Sequence, residues 1–219
     1  LSDQSGDPIA KLMDAVTVGR LPPWDGETEH LPPPRGAIAA VLTFAGHNVV
    51  AADVDPDWVR ASCPWGDLVA PLRPSFLSEL ERRTGGIAGP LDLVLLRRHE
   101  PSLASDLRLV PFRSNHPRMS RALRVRTEVG LYQTEDGCGV VAVGRGIGGR
   151  WEAGFEVDLR ARGRGLGRRL AAAAVSLIPE GQSLFLQVAA GNVASLRAVL
   201  AAGFVPIGAE ILFSAGENL

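Results

Sequence analysis

The sequence predicts a mixed α/β (α+β) fold, a mixed sheet containing at least one right-handed parallel crossover, and three observations predict it. Short apolar runs rich in Val, Leu, Ile and Phe recur along most of the 219 residues, bounded by Gly, Pro, Asn and Asp. Between residues 151 and 213 such runs alternate with stretches of helical periodicity, in the order strand, helix, strand, helix, strand. Just before them, Asp136-Gly137 separates two strand-like runs in the manner of a hairpin turn.

Taken in chain order, Ile9, Leu12, Met13 and Val16 recur at helical spacing. The proline runs around Pro22-Pro23 and Pro32-Pro33-Pro34 then impose an irregular lead-in to about residue 35. Residues 37–44 and 49–54 read as strands joined by a turn at Ala45-Gly46-His47-Asn48. Asp55 is placed to cap a helix whose first position is Pro56. A longer helix covers 75–84 and is stopped by Gly85-Gly86, and 91–96 is an apolar strand. Residues 107–110 follow the 101–106 stretch and lead into an arginine-rich segment, 116–126. Residues 132–135 and 139–143 form the hairpin, and a glycine-rich turn at 144–149 leads to the strand 151–158. A helix over 165–178 ends at Pro179; strand 184–189, helix 193–201 closed by Gly203, and strand 205–213 complete the chain. The expected division is an N-terminal α/β region, residues 1–106, and a second domain, 107–219.

The hydrophobic fraction of 46% supports a sizeable core. With 23 basic and 24 acidic residues, net charge gives no reason to expect a nucleic-acid or anionic-membrane partner. No apolar run approaches membrane-span length and the acidic N-terminus is no signal peptide, so the expected setting is soluble and cytoplasmic. Cys63 and Cys138 make no disulfide scaffold and have no partner at metal-ligand spacing, so no metal is expected and both read as buried thiols. Lys11 is the only lysine among the 23 basic residues, so arginine clustering, rather than arginine number, is informative.

Two glycine-rich stretches compete as sites. Gly144-Arg145-Gly146-Ile147-Gly148-Gly149 fits the dinucleotide pattern G-x-G-x-x-G, but that chemistry needs a helix next. Residues 150–157 alternate like a strand, which favours a hairpin turn. Arg162-Gly163-Arg164-Gly165-Leu166-Gly167 does run into a helix, with Leu166, Leu170, Ala173 and Leu177 on one face. A helix start carries unpaired N–H groups and partial positive charge, yet Arg160, Arg162, Arg164, Arg168 and Arg169 crowd this one. Such crowding fits a docked phosphate; a solvated turn eased by glycine is the alternative.

Arg162-x-x-Gly165-x-Gly167 after a strand ending at Val157, with Asn192-x-x-Ser195 and Gly203-Phe204 downstream, resembles the acyl-CoA signature of the GNAT superfamily of N-acyltransferases, in a bacterial member with an extra N-terminal region. The resemblance covers about residues 127–213; residues 1–106 are matched only by the superfamily's habit of carrying a degenerate second copy of its fold. It implies a mixed, mostly antiparallel sheet whose central parallel strands splay apart, with acetyl-CoA as acyl donor and a small-molecule or peptide amine as acceptor. Backbone groups of Phe155, Glu156 and Val157 would bind the pantetheine arm. The pyrophosphate would sit on N–H groups of Arg162, Gly163, Arg164, Gly165, Leu166, Gly167 and Arg168. Asn192 would contact the pantetheine and Ser195 the arm or the adenine-side phosphates; a plain helix cap is the alternative for Asn192. Oligomeric state is left open, with room for a homo-oligomer.

Direct attack of an amine on the thioester needs a proton acceptor. Glu152 and Glu156 are the candidates, four apart on one strand face, with Glu152 ranked first because Glu156 adjoins the arm-binding backbone. A merely solvated strand face is the alternative. The tyrosine that often protonates the thiolate, seven residues after the Asn, is replaced by Val199. A catalytically silent CoA-binding or regulatory module is therefore the second reading, and a nucleotide-binding protein using 144–149 the third. His47 and His116 read as structural, and Trp24, Trp58 and Trp65 as core residues or lining of an acceptor pocket.

Overall fold

The computed structural model describes residues 7–100 and 105–215. Its first half runs α1 (Pro8–Thr17), β1 (Thr28–Leu31), β2 (Ala39–Phe44), β3 (His47–Ala52), α2 (Pro56–Ser62), α3 (Pro74–Thr84), β4 (Gly86–Ala88) and β5 (Asp92–Arg98). There follow β6 (Leu109–Pro111), α4 (Pro117–Val125), β7 (Thr127–Thr134), β8 (Gly139–Arg145) and β9 (Trp151–Val157). The chain then runs through α5 (Leu166–Ala174), β10 (Ser183–Ala189), α6 (Val193–Ala201) and β11 (Val205–Ala215).

Two compact units emerge: one extends to Leu93 and regains the chain from Ile207, and the other runs from Val94 to Pro206. The sequence reading drew its boundary at 106/107, next to a stretch of which 101–104 lies outside the described residues.

In the first unit β2 and β3 form the expected hairpin, with β1 parallel to β3 and β11 antiparallel to both β2 and β4. Val41, Val50, Ile211 and Phe213 from the strands meet Val59, Phe76 and Leu80 from α2 and α3 in its core. Asp55 caps α2 by accepting from Asp57 N–H, and Gly85 ends α3 in the left-handed conformation at φ +70°. Strands β1 and β4 were not foreseen. Thr28-Glu29-His30-Leu31 has no apolar alternation and abuts Pro32, so only its pairing with β3 makes it a strand.

The second unit orders its strands β5, β10, β9, β8, β7, β6. Its hairpins β7–β8 and β8–β9 are antiparallel, and β9 pairs β10 in parallel across α5. The turn after β8 tightens through Gly148 and Gly149, both at positive φ, and a strand follows. That strand removes the dinucleotide reading of 144–149, which requires a helix there. Among the described residues no helix is long and apolar enough to cross a membrane.

Several side chains depart from expectation. Trp24 and Trp65 are 80% and 74% exposed, correcting their assignment to the core. Each is held on a turn, Trp24 against Gly46 and Trp65 by its indole N–H on the Asp25 carbonyl. Trp58 stacks on Phe76 as a core aromatic does. His47 is buried with Nδ1 2.9 Å from an Asp25 carboxylate oxygen, and His116 caps α4 by accepting from Arg118 N–H. Cys63 is buried, which pushes its thiol up to about 11, whereas Cys138 is only partly buried.

Candidate functional site

The site grows from an interruption in strand pairing. β8 accompanies β9 along its whole length, from Arg145↔Trp151 to Gly139↔Val157. On its other side β9 meets β10 only at Trp151↔Leu184, Glu152↔Phe185 and Ala153↔Leu186. Beyond Ala153 and Leu186 the two parallel strands part, so residues 154–157 present toward β10 an edge with no strand partner, on which only the Val157 carbonyl is taken up, by Arg162, among the described residues. Buried backbone without partners is costly, so a gap of this kind is a place for a ligand to add hydrogen bonds.

The β9 end leads through a short 3-10 turn at Leu159–Ala161 into the arginine–glycine bend and α5. Gly163 and Gly165 adopt φ +74° and +78°, conformations that other residues enter at a cost, and nothing stands within 4 Å of where their Cβ atoms would be. Gly165 is the N-cap of α5 and offers no side-chain cap, so the N–H groups of Leu166, Gly167 and Arg168 have no acceptor among the described residues. Those of Gly163, Arg164 and Gly165 likewise find none. Arg164 and Arg168 are exposed beside them, while Arg162 turns back so that its Nε donates to the Val157 carbonyl at 3.1 Å. Arg169 pairs with Asp106 at 3.4 Å. Donor-rich backbone, a helix start and exposed guanidiniums together suit a phosphate.

Gly167 has a different task. A Cβ there would lie 3.6 Å from Ala198 Cβ and Phe155 Cε2 and 3.8 Å from Val157 Cγ2, so this glycine faces α6 and the sheet. Phe155 and Val157 therefore face α5. Asn192, in the turn after β10, is the N-cap of α6, its Oδ1 accepting at 3.1 Å from the N–H of Ser195 in the first turn of that helix. Val199 is fully buried and offers no proton.

The opposite face of β9 carries Glu152, Gly154 and Glu156. Glu152 is buried, which corrects the picture of both carboxylates on a solvated face. Arg150 Nε donates to one of its oxygens at 2.8 Å and Arg126 Nε to the other at 2.9 Å. Burial pushes this carboxyl up, but Arg150 and Arg126 outweigh it and hold the group below the ordinary carboxylate range. Glu156 is exposed and accepts from Arg118 Nε at 3.2 Å. Arg126 also reaches Gln187 on β10, its Nη2 donating to Oε1 at 3.2 Å. Sequence reasoning did not single out Arg118, Arg126, Arg150 or Gln187. No periodicity links Arg118 with Arg126, since Arg118 lies in the first turn of α4 whereas Arg126 is its C-cap in extended conformation.

Among the described residues no group of three or more His, Cys, Asp or Glu side chains is arranged to hold a metal ion. No protein-family model and no curated protein matches the chain. Among solved structures, it is similar to a GCN5-related N-acetyltransferase from Kribbella flavida, at 15% identity and TM-score 0.44, over 96% of each chain. It is also similar to a putative GNAT-family acetyltransferase from Novosphingobium aromaticivorans, at 18% identity and TM-score 0.42, over 59% of this chain and 66% of that one. A third similarity is to a GNAT-family acetyltransferase from Colwellia psychrerythraea, at 14% identity and TM-score 0.36. The match spans 58% of this chain and 56% of the Colwellia protein.

Proposed function

We propose that this chain is an acyl-CoA-dependent N-acyltransferase of the GNAT type, moving an acetyl group from acetyl-CoA to an amine within a ternary complex. The observation that carries the reading is the parting of β9 and β10 after Ala153 and Leu186, next to six N–H groups from Gly163 to Arg168 that find no acceptor among the described residues. The pyrophosphate rests on those N–H groups, with Arg164 and Arg168 adding charge. The pantetheine arm lies along Phe155, Glu156 and Val157 in the manner of an added strand, toward Asn192 and Ser195. Gln187 and Gly154 are the first residues past the pairing, so the thioester comes to lie beside them.

In the reaction the amine nitrogen forms a bond to the thioester carbon, the C–S bond breaks, and sulfur leaves with its electron pair. The proton lost by the amine is taken up by a carboxylate, and the thiolate acquires one to become the free thiol. Of the two carboxylates, Glu156 is the one with the freedom to accept that proton, directly or through water. Glu152, held between two guanidiniums, serves instead to fix Arg126. No residue replaces the tyrosine, since Val199 is buried; a thiol of pKa about 8.5 departs tolerably as thiolate without a dedicated acid.

Calorimetry with acetyl-CoA tests the binding half: micromolar affinity is expected, and no heat at high micromolar ligand overturns it. Thiol release over a panel of amines tests the chemical half. Buried Val199 supports one other reading, a silent CoA-binding module, which predicts binding with no acceptor-dependent thiol release.

A further inference from the structure

We infer that the acceptor carries a carboxylate a few bonds from its reactive amine, and that Arg118 and Arg126 read it over Gly154; this rests on the acyl-transfer reading above. A Cβ at Gly154 would lie 3.4 Å from Arg118 Nη1 and 3.8 Å from Arg126 Nη1, and apart from the chain neighbours no other heavy atom comes within 4 Å. The space above Gly154 is thus bounded by the ends of two guanidiniums. Arg118 spends its Nε on Glu156; Arg126 spends Nε on Glu152 and Nη2 on Gln187. Both Nη1 groups remain as donors with no acceptor among the described residues.

The charges support an anion here. One carboxylate, Glu152, contacts both Arg126 and Arg150. Burial draws the Arg118 pKa down, and Arg121 and Arg126 add repulsion to what Glu156 relieves. A third donor lies beside Arg126: Gln187, whose Oε1 accepts from Arg126, has a buried Nε2 with no partner among the described residues. Unmade hydrogen bonds and like charges held together are costly, and a carboxylate laid across them removes both costs.

Position specifies which molecule brings that carboxylate. Gly154 and Gln187 are the first residues beyond the β9–β10 pairing, the place where the thioester ends. An amine attacking there has its next substituents over Gly154. Free amino acids are the class with amine and carboxylate at this separation. The bonds made and broken remain those above; the carboxylate orients the acceptor and takes no part in them.

The test uses the full chain loaded with acetyl-CoA and pairs of acceptors differing only in the carboxylate: phenylalanine with phenethylamine, lysine with cadaverine, β-alanine with ethylamine. Thiol release gives kcat/KM for each, and equilibrium dialysis against the CoA-loaded protein gives binding without turnover. The carboxylated member of at least one pair is expected to be preferred about 10- to 100-fold. Arg118→Gln is expected to erase most of that ratio, through KM, with acetyl-CoA binding retained; the ratio cancels any general effect on Glu156. Arg118→Lys, which keeps charge but not the fork, recovers part of it. Equal or reversed preference, a ratio untouched by Arg118→Gln, or no pair member bound by protein that does bind acetyl-CoA overturns the inference alone. Failure to bind acetyl-CoA overturns the parent reading and this one with it.

Discussion

The carboxylate of Glu152 lies directly against the α-carbon of Gly146, in the space where any larger residue would put its Cβ. The glycine-rich turn after β8 therefore accommodates a buried ion pair rather than a nucleotide. Gly146→Ala must displace Glu152 from Arg126 and Arg150, and is expected to cost about 2–4 kcal/mol of stability. Denaturant unfolding measures it; a change within a few tenths would mean that the turn, not the ion pair, gives way.

The two carboxylates of β9 should separate by phenotype. Glu152→Ala removes the buried anion that Arg126 and Arg150 both contact and is expected to cost about 3–5 kcal/mol. Glu156→Gln removes an exposed pair worth at most about 1 kcal/mol, yet should lower kcat about 10²- to 10⁴-fold with acetyl-CoA binding intact. Melting curves beside single-turnover rates check both halves.

Gly165 and Gly167 are two positions apart with opposite expected behaviour. Gly165→Ala places a Cβ on a residue at φ +78°, costing about 1–2 kcal/mol, and fills the open side of the bend, weakening acetyl-CoA binding. Gly167→Ala meets Ala198, Phe155 and Val157 at ordinary contact distance, and should gain up to about 1 kcal/mol in helix propensity. Calorimetry and thermal melting on the pair distinguish a phosphate cradle from a merely glycine-eased turn.

Asp92 supplies a pH dependence in the first unit. Burial, with the neighbouring Glu210, pushes its carboxyl up from 3.8 to about 6. The folded state then binds this proton more tightly than the unfolded chain, so stability falls as pH rises from about 4 to about 6. For a half-exposed group, discounted for solvent screening, the loss is about 1–2 kcal/mol. Asp92→Asn should be the more stable protein at pH 7 and lose its advantage near pH 4. Unfolding free energies of both proteins across that range provide the check.

Much of this was legible in the residues. Asp55-Pro56 set the start of α2, Gly85 the end of α3, and Asp136-Gly137 the β7–β8 hairpin, because each depends on a few adjacent dihedral angles. The Arg162–Gly167 bend was visible for the same reason: glycines at positive φ and a helix start are local features. The partners of Glu152 were not legible. Arg126 stands 26 residues away, and alternation along a strand says which side chains share a face, not which face is buried. The exposed indoles of Trp24 and Trp65 were hidden likewise, since aromatic composition predicts burial and only hydrogen bonds to Asp25 and close approach to Gly46 hold them outward.

By itself the sequence determined most of the strands and helices, the caps at Asp55 and Gly85, and the glycine bend before α5, all fixed by interactions within a few residues. Tertiary structure alone decided where β9 and β10 part, that Glu152 is locked while Glu156 is open, and that the final strand joins the first unit. Those outcomes arise from pairing and desolvation between segments far apart in the chain, whose free energies exist only once the segments meet.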